Sequence, residues 1–218
     1  MRIGVLGTGV VGKAIADRLT GLGHSVTMGS RSADNPDASD WARSAGEHAG
    51  HGTFADAADA GELLFNCTAG TGSLDALRSA GRERLAGKVL IDVANPLDFT
   101  GSMPPSLLVS NTDSLGEQIQ RAFPEARVVK ALNTMRCQIM VDPSRVPGAH
   151  DVFVCGNDVA AKRQVRELLT TFGWPEGSIV DLGGISAARG TEAYLLLWVR
   201  LWGALGSRDF NIHVAFEP

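Results

Sequence analysis

Apolar positions follow two rhythms along this chain. Short apolar runs that close on glycine, asparagine or threonine alternate with stretches where apolar residues recur at helical spacing, as Ala14, Ile15, Leu19 and Leu22 do. The runs predict strands at Ile3–Leu6, His24–Met28, Gly52–Phe54, Leu63–Cys67, Lys88–Val93, Arg127–Leu132, Asp151–Gly156 and Ile179–Asp181. Between them the pattern predicts helices after Gly12, over Ser39–His48, Asp56–Ala60, Ser73–Ala80, Ser114–Phe123 and Asp158–Phe172. Ser73 is placed to cap its helix, Glu117 stands at capping-box distance from Ser114, and Pro124 stops the helix before it. The segment from Leu97 to Pro105 breaks both rhythms and reads as a surface loop over a site.

Strictly alternating strands and helices predict an α/β fold with a doubly wound parallel sheet. The final element, Ser186 to about Leu205, breaks the amphipathic pattern. Its centre, Tyr194–Trp202, is apolar on nearly every side, yet it is too short and interrupted for a membrane span. A helix of that kind must be covered, either by its own domain or by a second copy of the chain. The expected organisation is therefore a dinucleotide-binding domain over residues 1–185 and a small C-terminal helical portion over 186–218, packed on it and serving a homodimer.

The first strand runs into Gly7-Thr8-Gly9-Val10-Val11-Gly12, a G-x-G-x-x-G spacing between strand and helix. Gly7 permits the turn, Gly9 lets the backbone approach a pyrophosphate, and Gly12 lets the helix pack closely. The helix N-terminus presents free N–H groups and positive potential to the phosphates. The reading is Rossmann-like. Ligands in such folds lie beyond the carboxyl ends of the strands, which places Thr68, Ala69, Ala94, Asn95, Pro96, Asn133, Thr134 and Met135 along the crevice. Cys137, just past that last strand end, joins the expected cofactor-binding set.

At the end of the second strand, where an NAD site carries an acid for the ribose hydroxyls, this chain has Gly29-Ser30-Arg31. A carboxylate would repel a 2′-phosphate, whereas Ser30 and Arg31 offer a hydroxyl, an N–H and a charged planar fork. NADP(H) is the expected cofactor.

Composition narrows the partners. The 218 residues are 44% hydrophobic and 20% charged, with 26 glycines and a net charge of -4. No global basic field attracts nucleic acid or an anionic membrane. No secretory signal is visible, and a cytoplasmic location is expected. Cys67, Cys137 and Cys155 lack metal-site spacing and read as buried reduced thiols, so no metal is expected. The strand ends carry no evident acid or base, Tyr194 has no lysine partner in a Tyr-x-x-x-Lys pair, and the five histidines lie away from them. Reduction of a small ketone usually needs a proton donor beside the hydride path. A conjugated redox cofactor as hydride acceptor needs mainly binding, orientation and exclusion of water.

The chain resembles the NADPH-dependent coenzyme F420 reductases, also called F420H2:NADP oxidoreductases. The resemblance runs through Gly7–Gly12, Gly29–Arg31, Asp92–Asp98, Val129–Thr134, Val154–Asp158 and the closing helical run, essentially the whole length. It implies direct hydride transfer between C4 of the nicotinamide and C5 of the deazaflavin, with coenzyme F420 as co-substrate. It also implies a compact dinucleotide fold and a homodimer, with Thr8 to Val11 on the pyrophosphate and Ser30 and Arg31 on the 2′-phosphate. Asn133 stands where the archaeal-type pattern has histidine near the reacting rings, and it is the residue expected to orient the acceptor or the nicotinamide amide. Arg136, Arg145 and Arg189 are candidates for the phosphate and acidic tail of F420. Two other readings stay open: an NADPH-dependent reductase of another acceptor, such as a flavin, imine or quinone, and a non-catalytic NADP(H)-binding sensor.

Overall fold

The computed structural model describes residues 1–101 and 103–217; Ser102, inside the expected loop, and Pro218 lie outside the described residues. The first half of the chain forms β1 (Arg2–Leu6), α1 (Val10–Gly21), β2 (Ser25–Ser30), α2 (Pro36–Ala45), β3 (Ala49–Thr53), α3 (Phe54–Ala60), β4 (Leu63–Asn66), α4 (Ser73–Ala80), α5 (Arg82–Leu85) and β5 (Val89–Asp92). Then follow β6 (Leu97–Asp98), β7 (Ser106–Leu107), α6 (Leu115–Ala122), β8 (Arg127–Ala131), α7 (Cys137–Val141), β9 (Val152–Gly156), α8 (Val159–Phe172), β10 (Ile179–Asp181) and α9 (Ala188–Leu205).

Eight strands form one sheet in the order β10-β9-β8-β5-β4-β1-β2-β3. The inner strands β1, β4, β5, β8 and β9 are buried on both faces, as a helix-covered sheet requires. Ile3, Val5, Leu63, Phe65, Val89, Ile91, Val129 and Ala131 join the core under α1, α2, α7 and α8. Their neighbours Leu6, Leu64, Leu90 and Val128 join the core under α3, α4 and α6. The doubly wound α/β expectation therefore holds. Strand order reverses between β1 and β4, so the crevice beyond their carboxyl ends lies at the switch point.

The sheet is not parallel throughout. β8 and β9 pair antiparallel, with Lys130 opposite Cys155, and β10 runs parallel to β9. A parallel neighbour needs a crossover helix long enough to traverse the sheet. The only α-helix in this connection is α7, five residues or about 7 Å of rise, so the chain turns back instead.

Local chemistry moved several boundaries. The Asn35 side chain accepts from the Ala38 N–H with Pro36 at the first helical position, so α2 begins and ends three residues before the expected Ser39–His48. Thr53 and Asp56 form a reciprocal capping box, which puts Phe54 into α3 rather than the third strand. Ends of the 97–105 loop pair as the two-residue strands β6 and β7. The last helix begins at Ala188, after a 3₁₀ turn over Ile185–Ala187.

That last helix is not covered within the chain. Ala188, Thr191, Glu192 and Leu195 are buried, but Leu197 and Leu205 are 54% and 59% exposed. Its first half is pinned to α6. Arg189 donates to both Glu117 carboxylate oxygens at 2.8 and 2.6 Å, and Gly116 leaves room for Ala188 and Ile185.

Candidate functional site

The β1–α1 turn is built by two glycines. Gly7 has φ of +121°, and a Cβ there would meet the Cys67 carbonyl oxygen at 2.7 Å; a Cβ on Gly12 would sit 2.1 Å from the Gly7 oxygen. Around Gly9 there is open space, and the cap of α1 makes no side-chain hydrogen bond. The first N–H groups of α1 are thus left to an outside acceptor, which fits a pyrophosphate.

Beyond the strand ends lies a cavity of about 750 Å³. Of the residues expected at a cofactor, Val10, Val11, Thr68, Ala69, Ala94, Asn95, Asn133 and Cys137 line it together. Gly7, Thr8 and Gly9 lie on the adjoining turn, and Pro96 sits just behind the wall, its carbonyl accepting from Leu108 N. Ser30 and Arg31 stand at the end of β2, next to β1 in the sheet and outside the cavity. Arg31 is exposed and, among the described residues, in no ion pair. Ser30 is buried and its hydroxyl donates to the Ser32 carbonyl, so that hydroxyl is already engaged in a turn.

On the cavity's far side the expected loop contributes, while the residues from α9 and the tail were not foreseen. Leu195 and Trp198 of α9, Arg208 of the tail and Phe99 of the 97–105 loop complete the lining. Trp198 stacks on Phe210 with centroids 5.5 Å apart, and the Arg208 guanidinium lies 4.0 Å from the centre of the Trp202 ring. The sequence showed α9 as an apolar element in need of cover; only the fold shows that one of its faces belongs to the crevice. Of the three candidate arginines, Arg136 alone lines the cavity, paired with Asp209 at 2.6 Å. Arg145 pairs with Asp142, and Arg189 with Glu117, both away from it.

Asn133 and Asn95 clasp each other across the ends of β8 and β5. Asn133 Nδ2 donates to Asn95 Oδ1 at 2.9 Å, and Asn95 Nδ2 donates to the Asn133 carbonyl at 2.8 Å. Leu132, immediately before, is held at φ +65°, an uncommon state for a branched residue that turns the chain into this clasp. A buried polar chain runs behind the wall. Thr68 donates to Asn66 Oδ1, Asn66 donates to Asp92 at 2.8 Å, and Lys130 donates to Asp92 at 2.8 Å.

The lining offers little acid–base chemistry. Among its described residues are no histidine, lysine or tyrosine, and Asp98 is the one carboxylate. Thr100 donates to Asp98 from its hydroxyl and its N–H, which holds that carboxyl below its usual range and leaves it a poor proton donor. Burial pushes the Cys67 thiol well up, with Asp92 and Cys137 adding to it, and burial also raises Cys137, so neither is an activated nucleophile. Among the described residues no group of His, Cys, Asp and Glu could hold a metal, and no helix is long and apolar enough to cross a membrane.

Residues 2–96 match the family described as NADP oxidoreductase, coenzyme F420-dependent. A crystal structure from Arthrobacter sp. FB24, provisionally named an F420-dependent NADP-reductase, is 52% identical, with TM-score 0.93 over 99% of this chain and 100% of that one. Rat metalloreductase STEAP3 is 30% identical over 92% of this chain, and the F420-dependent NADP reductase of Methanocaldococcus jannaschii is 30% identical over 55% of it. The chain spans 38% of the rat protein's length and 53% of the archaeal one's.

Proposed function

The chain belongs to the family of coenzyme F420-dependent NADP oxidoreductases, and on that premise we propose that it passes a hydride between NADP(H) and the deazaflavin coenzyme F420. The observation that carries this reading is the lining of the crevice: the aromatic rings of Phe99 and Trp198 and two guanidiniums, Arg136 and Arg208, with no histidine, lysine or tyrosine to serve as a proton donor. An acceptor that is planar, conjugated and anionic at one end matches that lining. A small ketone, which needs an acid beside the hydride path, does not.

In this reading the open turn at Gly9 and the N-terminus of α1 hold the pyrophosphate, while Arg31 and the backbone of Ser30 hold the 2′-phosphate. The nicotinamide then lies against Thr68, Ala69 and the Asn95–Asn133 clasp. The deazaflavin supplies a carbon that accepts the hydride directly. The chain's own part is to bind both rings, align them and exclude water. Asn133 orients through the clasp, one of its two amide N–H groups being committed to Asn95. The exposed leucines of α9, Leu196, Leu197 and Leu205, serve a homodimer.

Stopped-flow loss of the NADPH band on mixing with F420 tests the reading. Turnover with F420 supports it; turnover with a free flavin and none with F420 overturns it.

A further inference from the structure

Lys130 is fully buried at the end of β8, yet its ammonium is closely surrounded. It donates to Asp92 Oδ2 at 2.8 Å and to the Ala94 carbonyl, and Glu192 Oε1 lies 2.7 Å away in an ion pair. Two carboxylates and a carbonyl from two segments thus meet one ammonium, which has three N–H groups to offer. Burial opposes the charge, and the facing carboxylates of Asp92 and Glu192 outweigh it, so Lys130 stays an ammonium at neutral pH. Glu192 is itself fixed, since its two oxygens accept from Leu115 N at 2.8 Å and Gly116 N at 3.0 Å at the start of α6.

The acceptors belong to two elements that each carry cavity-lining residues farther along. Asp92 and Ala94 precede Asn95 on the strand end assigned above to the nicotinamide, and Asp92 also accepts from the Ala94 N–H at 3.2 Å. Glu192 sits on α9 one turn before Leu195 and six residues, about 9 Å of helix rise, before Trp198; both of those residues line the opposite side.

We propose that Lys130 is a positioning residue: through Glu192 on one side and Asp92 with Ala94 on the other, it sets the separation of the nucleotide wall from the acceptor wall. The proposal rests on the hydride-transfer reading of the crevice. Reacting atoms must come within roughly 3–3.5 Å, and a misplacement near 1 Å is enough to cost about a hundredfold in rate. A frame of this kind acts on transfer and not on nucleotide affinity, which the phosphate contacts at the far end of the crevice dominate.

The test compares Glu192→Gln, which keeps shape but turns an amide N–H toward a donor, with Lys162→Met. The second breaks a pair between a buried lysine and an exposed carboxylate, Lys162 with Asp181 at 2.8 Å, at the edge of the sheet away from the cavity. Glu192→Gln is expected to keep the NADPH Kd within about threefold and to slow hydride transfer about 30- to 100-fold per folded molecule. Lys162→Met is expected to lose stability without that slowing. Equal rates in the two variants, or a Kd that rises in step with the rate loss, overturn the proposal. If Glu192→Gln fails to fold, Lys130→Arg, which keeps the charge and changes the span, takes its place, and a wild-type rate there is equally contrary.

A second readout needs no acceptor. Energy transfer from Trp198 to bound NADPH, isolated by subtracting the Trp198→Phe protein, reports the separation of the walls. It is expected to change in Glu192→Gln and not in Lys162→Met; no change in either overturns the proposal. Should the wild-type protein transfer to no deazaflavin, the functional reading fails, while this measurement still decides the role of Lys130.

Discussion

Arg31 and Ser30 show how far single residues can be read without a fold. An arginine at the end of the second strand, with no acid beside it, points to a 2′-phosphate from sequence alone, and the structure leaves that guanidinium exposed. Charge-assisted hydrogen bonds contribute about 1.5–3 kcal/mol each. Arg31→Ala is therefore expected to raise the NADPH KM about 10- to 150-fold while leaving the NADH KM nearly unchanged. Steady-state kinetics with both nucleotides checks it, and equal effects on the two would remove Arg31 from the phosphate. Ser30 differs, because its hydroxyl donates to the Ser32 carbonyl, a local turn that residue type cannot reveal. Arg208 and Trp198 were illegible for another reason. They reach the cavity through long-range packing of α9 and the tail, and an arginine near a chain end carries no local signal of where it will lie.

At the scale of elements, periodicity located most strands and helices, and capping chemistry explains the shifted boundaries at Asn35 and Thr53. The reversal of β9 was hidden because apolar alternation is the same in either strand direction. Only the short α7 in its connection hints at it. The attachment of α9 was hidden too, since Glu117, Arg189 and Glu192 read as ordinary helix-surface charges until α6 and α9 meet.

That attachment is expected to be acid-labile. The Arg189 guanidinium holds the Glu117 carboxyl below its ordinary value, against the opposing pull of burial and with help from the Ser114 hydroxyl. A carboxyl with a lowered folded-state pKa contributes stability that is in place above its unfolded value, roughly 4.3, and is lost as the pH falls through the folded value. Below about pH 4, α9 is expected to loosen from α6. Tryptophan emission from Trp198 and Trp202 during acid titration follows it. Glu117→Gln should lower stability at neutral pH and blunt the acid step, whereas an acid profile identical to wild type would place the lability elsewhere.

For the molecule as a whole, the C-terminal helix has two faces with two tasks. One lines the crevice with Leu195 and Trp198; round the rest of its circumference Leu196, Leu197 and Leu205 are exposed, more apolar surface on one helix than a lone chain usually leaves to water. The proposed homodimer predicts twice the chain mass in sedimentation, and Leu197→Glu should shift it to the monomer. A wild-type protein that sediments as a monomer at high concentration contradicts the dimer but leaves the crevice intact. The central claim concerns that crevice: a nucleotide on one wall hands a hydride directly to a planar cofactor on the other, with no protein acid between them. The most direct measurement follows deuterium from C4 of NADPH, in the transferred position, during reduction of F420 in ordinary water. The account predicts the label at C5 of the reduced deazaflavin, carried over in full; label lost to solvent, or no transfer to F420 at all, contradicts it.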